Sequence, residues 1–494
     1  MTGGCNLPPV LFSSIMIGYI IFFLCLALLV LGYVFYGRMA QQVYGLDLSK
    51  EMPCVKMPDG VDFVPLPTWR VFLIQLLNIA GLGPVVGAVS GCLFGPVALL
   101  WIVFGCILAG AVHDFLSAAM CADRDGANLP ELVGENLGEP ARHAMRLICI
   151  FLLLMVGVVF TLLPAGMLQS IWGWLTTQQW ALVILCYYFL ATVLPIGTII
   201  GRIYPVFGAV FLFMALGLAV MLPMSGHPVL PDLDFFSNMH PKGTSVWPML
   251  FVTIACGAIS GFHATQSPMM VRCLRKRSNL RLAFYGAMVV ESMVALVWAV
   301  VGLSLREVVV ADSQTMEQLI LSNPAAAVRS ACTYLLGESG GMVAVLGVVV
   351  LAVTSGDTAM RSCRLMMADV LHLKQHRPLA RLGLAVPLFL LVIFISQVDF
   401  SAIWRYFGWA NQTLACITLW TISAYLRDRQ KTYLITWIPA LLMTLVCITF
   451  FFYAPECGFN LPLWAAGLIA CLGLIVAQMA FECRNPRVEP YSEE

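Results

Sequence analysis

The sequence predicts an all-α polytopic membrane protein of about 13 transmembrane helices, arranged as two inverted five-helix repeats with one leading and two trailing helices. Three observations predict it. The composition is 60% hydrophobic and only 11% charged, with a mean hydropathy of +0.89, far too apolar for a soluble globular chain. Apolar runs long enough to cross a bilayer recur along the whole length. Two of them are interrupted by glycine and proline near their middle, at NIAGLGPVVG (Asn78 to Gly87) and CGAISGFHATQSP (Cys256 to Pro268). Backbone at that depth has no water to bond, so an interruption persists only where the freed groups face a protein-lined cavity or a ligand.

The leading run, 10–36, heads a unit of residues 1–70 that ends in a cytoplasmic loop. No Lys or Arg precedes the run, which is too long for a signal-peptide core and lacks a small-residue cleavage pattern, so it is expected to remain as a membrane helix. Runs 71–90, 93–121, 147–172, 180–200 and 204–224 make the first five-helix repeat, residues 71–224. After an outer linker, 225–246, the second repeat (residues 247–425) holds runs 247–270, 282–303, 341–362, 382–398 and 401–425. Runs 433–453 and 461–481 trail within residues 426–494, which end in a cytoplasmic tail. Each repeat opens with its interrupted run, and the two open from opposite sides; hydropathy and break position are the whole basis for calling the repeat inverted.

Orientation follows from the basic residues. With the N-terminus outside and the C-terminus cytoplasmic, every Lys and Arg falls in an inner segment except Lys242, Arg306, Arg329 and Arg405. Arg405 lies inside a span near its outer end, from which its long stem can snorkel to the interface. The outer segment from Leu303 to Gly340 reads as helical and is either a lid over an outer vestibule or a solvated surface loop. The 17 cysteines sit mostly singly in apolar runs as small hydrophobes, with no disulfide framework. A net charge of +1 gives no argument for nucleic acid or an acidic partner. The expected partners are the lipid bilayer and a small-molecule substrate, with no cofactor other than a coupling ion; nothing read from the sequence sets the oligomeric state.

The interruptions supply the candidate substrate-binding residues. Pro84 has no N–H, so the carbonyl of Ala80 loses its helical donor and becomes a candidate cation ligand, while Gly81 and Gly83 let the backbone turn away. The half-helix restarting at Val85 would aim its N–H groups at a carboxylate. Gly257, Gly261 and Pro268 repeat the device, Pro268 freeing the carbonyl of Ala264. The alternative at each site is a proline kink repaired by neighbouring helices. Asn78 with Gln75, and Asn411 with Gln412 in FGWANQ, are buried amides that either bind a peptide or carboxylate group or join helices together.

Ion coupling draws on other residues. Thr354, Ser355, Asp357 and Thr358 in LAVTSGDTAMR carry oxygens suited to a small cation. Asp357 is to be paired, protonated or ion-bound, and an i,i+4 pair with Arg361 that only locks the helix end is the competing role. Glu291, the deepest carboxylate, is a proton-carrier candidate or a static hydrogen-bonding group, and His263 either titrates or contacts substrate or is structural. Asp114 and His113 fall near the inner interface on diverging helix positions, so they are not expected to form one catalytic pair, and Asp114 is assigned an interfacial gating or structural role. His372 and His376 share an i,i+4 spacing, but two ligands without a third predict no metal site.

At these residues the chain resembles the carbon starvation protein A family of bacterial inner-membrane transporters. The matching stretches are DGVDFVP (59–65), NIAGLGPVVG, LAGAVHDF with RDGANLPELV (108–133), FVTIACGAISGFH (251–263), YGAMVVES (285–292), the Thr354, Asp357 and Arg361 pattern, and FGWANQ (407–412). The resemblance implies uptake of short peptides and pyruvate-like carboxylates during nutrient limitation, driven by an ion gradient. It also implies the amino acid, polyamine and cation transporter fold, in which Ala80 and Gly83 would approach Thr354, Ser355 and Thr358 at a cation site. The chain departs from longer members, which carry extra hydrophobic segments where this one has only Ser225 to Val246.

The expected function is therefore inward secondary transport of peptide or small carboxylate by alternating access in the bacterial inner membrane. Glu291, Asp357 and His263 favour proton coupling; Thr354 and Ser355 are the basis of a sodium-coupled alternative. An enzyme would need a clustered catalytic set, which the sequence does not present, and a nutrient sensor without transport would usually carry a sizeable output domain.

Overall fold

The computed structural model describes residues 9–194, 200–231, 234–311, 313–373, 375, 377–398, 400–455 and 459–484. His376 of the paired-histidine reading lies outside the described residues. Among the described residues, nine helices are long and apolar enough to cross a membrane, and a bent pair raises the number to as many as ten. The protein is a multi-pass helical membrane protein.

Helix α1 (Pro9–Leu31) continues through a wide turn at Gly32–Tyr36 into Gly37–Tyr44. Helices α2 (Thr68–Ala80) and α3 (Gly83–Phe94) form the bent pair, meeting at 52°. Then follow α4 (Val97–Asp123), the short α5 (Leu129–Leu137), α6 (Glu139–Ile171), α7 (Thr177–Val193) and α8 (Ile200–Met224). A second interruption separates α9 (Val246–Thr253) from α10 (Gly261–Val271), and α11 (Arg277–Ser304) completes this part of the chain.

The outer segment is folded. It forms an antiparallel hairpin of β1 (Val309–Ala311) and β2 (Gln314–Thr315), then α12 (Met316–Ser322) and the first part of α13 (Pro324–Val370). Thr315 and Gln318 cap α12 reciprocally, and the Asn323 side chain caps α13 with Pro324 in its first turn. The chain leaves helical geometry at Gly337, where φ is +70°, dividing an outer arm from the span that carries Thr354 to Arg361. Helices α14 (Pro378–Ile395), α15 (Phe400–Asp428), α16 (Leu434–Tyr453) and α17 (Leu463–Cys483) finish the chain.

Helix α13 packs along α6 and α8, and α15 along α16. Helix α17 lies outermost and exposes Leu468, Leu472, Val476 and Met479, the apolar face that a lipid-contacting helix requires.

The face richest in arginine is tied by ion pairs. Asp59 Oδ1 accepts the N–H groups of Val61, Asp62 and Phe63 at 2.8 to 2.9 Å, forming a turn that presents Asp62. Asp62 Oδ1 receives Arg361 at 3.1 Å and lies 3.8 Å from Arg364, and Arg361 also donates to the carbonyls of Ala191 and Leu194. The i,i+4 pairing with Asp357 is thus corrected: Arg361 turns to a loop carboxylate and two helix-end carbonyls, while tyrosines occupy both oxygens of Asp357. Nearby, Asp123 accepts from Tyr44, Tyr425 and Arg277.

Candidate functional site

Gly81 ends α2 with φ +26° and ψ −148°, a conformation that L side chains rarely adopt, and a Cβ there would stand 2.9 Å from the Phe160 ring. In an unbroken helix the Gly81 N–H would bond the Leu77 carbonyl. It donates instead to Ser355 Oγ at 3.1 Å, while the hydroxyls of Ser355 and Thr354 donate to the Leu77 carbonyl at 3.2 and 3.0 Å. Two hydroxyls from α13 therefore replace the lost helical bond. The sequence pointed to the carbonyl of Ala80, but α13 engages Leu77, because the backbone leaves helical geometry before Pro84 is reached. Thr358 does not join this contact; its hydroxyl bonds back to the Thr354 carbonyl at 2.9 Å.

One turn along α13, Tyr187 donates to Asp357 Oδ2 at 2.7 Å and Tyr204 to Oδ1 at 3.0 Å. The Tyr204 hydroxyl also lies 3.2 Å from Asn78 Oδ1, so α2, α7, α8 and α13 meet around this carboxylate. The phenols had no sequence signal beyond being polar groups in apolar runs.

The second break spans Ile254 to Ser260, and Pro268 lies inside α10 rather than at the interruption. Side chains satisfy both of its ends. Gln412 Nε2 donates to the Phe251 carbonyl at 2.9 Å and Trp101 Nε1 to the Ile254 carbonyl at 2.9 Å, closing α9. Asn411 Oδ1 accepts the Phe262 N–H at 2.8 Å and the Ser260 hydroxyl at 3.0 Å, opening α10 as a cap delivered from another helix. Of the two readings of FGWANQ, these contacts are those of helix joining.

The two breaks touch one another. A Cβ on Gly83 would overlap Cβ and Sγ of Cys256, and one on Gly261 would run into the backbone of Asn411 and Ala415. Gly257 lies against Ala295, where a Cβ would approach to 2.6 Å.

A buried polar cluster lies directly behind the second break. Asp114 is fully buried in the protein, with Oδ2 at 2.8 Å from His263 Nδ1 and Oδ1 at 2.8 Å from His113 Nδ1. His113 and Asp114 are in contact although adjacent helix positions diverge, because side-chain rotation closes the gap that the helical angle opens. His263 Nε2 lies 3.5 Å from Glu291 Oε2, so α4, α10 and α11 contribute one Asp114–His263–Glu291 chain.

Two cavities lead toward this region. The larger, about 730 Å³, is lined by Ser322, Asn323 and Arg329 of the outer segment, by Leu163 and Met167 of α6, and by Trp404 and Arg405. The smaller, about 140 Å³, shares Trp404 and Arg405 and reaches Gly83, Gly87 and Cys256. The segment around Ser322 to Arg329 thus forms one wall of the larger cavity, and Arg405 lines both cavities, which the snorkelling reading did not foresee.

The curated relatives are transporters where they carry a functional name. The chain is 39% identical to an uncharacterized membrane protein of Haemophilus influenzae over 58% of this chain and 91% of that one. It is 26% identical to the peptide transporter CstA of Escherichia coli over 85% of this chain and 78% of that one. It is 28% identical to the pyruvate/proton symporter BtsT of the same organism, over 54% of this chain but only 46% of that one. Among solved structures, a mutant of the Eremococcus coleocola manganese transporter aligns with a TM-score of 0.53 over 86% of this chain and 97% of that one; at 13% identity the likeness concerns the fold. The family model for carbon starvation protein CstA matches residues 17–177, 165–339 and 321–450, a span that takes in both breaks and the buried carboxylates, and the chain belongs to that family.

Proposed function

We propose that this protein is a secondary transporter that imports short peptides or small carboxylates such as pyruvate by alternating access, coupled to protons. The observation that carries the reading is a pair of cavities that both have Trp404 and Arg405 in their walls, the larger lined by Ser322, Asn323 and Arg329 and the smaller reaching Gly83 and Cys256 where the two broken helices touch. A guanidinium shared by both is suited to a carboxylate, which it can grip through paired hydrogen bonds. Asp357 and the Asp114–His263–Glu291 chain are the proposed proton carriers, being carboxylates and imidazole held in hydrogen-bond or near hydrogen-bond reach inside the bundle.

The proposal includes the finer architecture: about 13 spans as one leading helix, two inverted five-helix repeats (71–224 and 247–425) and two trailing helices. The N-terminus is outside and the arginine-rich face lies in the cytoplasm of a bacterial inner membrane. On that orientation Asp62, Arg361 and Arg364 close the inner side while the vestibule opens outward. Gly81, Gly83, Gly257 and Gly261 are proposed to form the substrate site by letting the broken helices and their neighbours approach closely, Gly83 also lining the smaller cavity. Carbon starvation is the proposed setting of use.

The test is uptake of labelled pyruvate into proteoliposomes under an imposed inward proton gradient, without sodium and with a dipeptide as competitor. Accumulation that an uncoupler abolishes supports proton symport, and competition places both substrates at one site. Accumulation that requires a sodium gradient instead would replace the proton by sodium and return the coupling role to Thr354 and Ser355.

A further inference from the structure

The cluster behind the second break contains more than a proton path needs. Cys256 Sγ, a His263 ring nitrogen and a Glu291 carboxylate oxygen all lie within 4.8 Å of one another, and all three residues are buried. Among the described residues, His263 Nε2 and both Glu291 oxygens have no hydrogen-bond partner. Buried polar atoms of this kind are costly to leave bare. Asp114 occupies the other ring nitrogen of His263 at 2.8 Å, which leaves Nε2 facing Glu291 at 3.5 Å. A carboxylate behind a histidine is the arrangement that orients a metal-binding imidazole and raises its basicity.

From these observations we infer that Cys256, His263 and Glu291 form a binding site for a borderline-soft divalent ion, with Zn²⁺ as the fitting cation. The donor set is one thiolate, one imidazole and one carboxylate, which selects zinc-like ions over magnesium or calcium. Ligand bonds of about 2.0–2.3 Å separate neighbouring donors in a tetrahedral site by about 3.3–3.8 Å. The His263–Glu291 separation of 3.5 Å already meets that spacing, and Cys256 Sγ stands within 4.8 Å of the other two donors, about an ångström or less beyond it. Three protein ligands leave a fourth position, and Cys256 also lines the 140 Å³ cavity, which gives the ion a route inward.

The ligands come from three separate elements. Cys256 lies in the interruption, His263 on α10 after it, and Glu291 on α11. A bound ion ties both sides of the break to a neighbouring helix and occupies the atoms proposed to carry protons. Zn²⁺ is accordingly an inhibitor of transport.

Cobalt titration of the purified full chain in detergent tests the site without depending on transport. The expected result is one Co²⁺ per chain with a thiolate-to-cobalt charge-transfer band, displaced by Zn²⁺. Cys256→Ser should abolish the band in protein that still elutes as a folded species. Asp114→Asn, which removes only the carboxylate behind the imidazole, should keep the band and weaken affinity about 10- to 100-fold. A wild-type chain with no such band, or a band that survives Cys256→Ser, would overturn the site. Neither of those results would bear on proteoliposome uptake, so the transport reading stands or falls separately.

Discussion

Asn411 Oδ1 accepts the backbone N–H of Phe262 at 2.8 Å, so a helix far along the chain supplies the cap that α10 cannot supply for itself. Ser260, which begins that turn, gives no side-chain cap and donates its own hydroxyl to the same oxygen. The interrupted span is therefore stable only while α15 remains packed against it. Asn411→Ala leaves both donors buried and unpaired, and the expected loss is about 1–3 kcal/mol for each unsatisfied group. Asn411→Asp keeps an acceptor in place. Thermal unfolding in detergent should rank wild type above Asn411→Asp and Asn411→Asp above Asn411→Ala; equal midpoints for the two variants would show that the acceptor oxygen is not what holds the turn.

Asp357→Asn is expected to abolish concentrative uptake while leaving the protein folded and inserted. Tyr187 and Tyr204 donate to the two carboxylate oxygens at 2.7 and 3.0 Å, and an amide can accept only one of those bonds through oxygen. The substitution removes a titratable group and mispairs one phenol, without creating a cavity. Counterflow exchange, which needs no net driving force, separates the coupling role from a binding role. Exchange that persists while gradient-driven accumulation disappears is the expected pattern, and undiminished accumulation would end the coupling assignment.

Much of this site was legible because glycine and proline in an apolar run are visible without knowing the fold. Both breaks were found that way, and so were Thr354, Ser355 and Asp357 as oxygen-bearing residues on one span. The directions of their contacts were not legible. For Arg361 the sequence offered only a competing pair with its helical neighbour Asp357, whereas its carboxylate partner, Asp62, lies 299 positions away in a loop. The contacts of Asp114 with His113 and His263 were not legible either, because its place along a run gives depth in an ideal helix, not what packs beside it. Cys256 read as one of many small hydrophobes, and its closeness to His263 and Glu291 comes from the unwound backbone between two half-helices, where helical spacing no longer predicts which residues meet.

Gly83→Ala is predicted to disturb the contact between the breaks. The added Cβ overlaps Cys256, and overpacking of this kind costs about 1–3 kcal/mol unless the neighbour gives way. Cys256→Gly removes both atoms that the new methyl would strike, so the double variant should recover part of the lost stability. Gly261→Ala has no comparable rescue, because its Cβ meets the backbone of Asn411 and Ala415. Substrate affinity and melting temperature measured on all four variants test this. A Gly83→Ala protein with unchanged affinity and stability would mean that the broken helices do not need to touch at this point.

Asp62 provides the last prediction, since it is a single loop carboxylate facing two buried guanidinium groups at 3.1 and 3.8 Å. Removing its charge by Asp62→Asn leaves Arg361 and Arg364 facing each other's charge on the face proposed to be closed, a change that is strongly destabilising when a buried pair loses one partner. The cost falls on the closed arrangement alone, because opening that face gives the arginines access to water. Asp62→Asn should therefore shift the population toward the open face rather than unfold the protein. Hydrogen–deuterium exchange reports this directly: amides of residues 59–66 and of the C-terminal turn of α7 should exchange faster, while those of α16 should not. Faster exchange everywhere would indicate general destabilisation, and unchanged exchange at 59–66 would show that the Asp62–Arg361 pair is not what keeps the face closed.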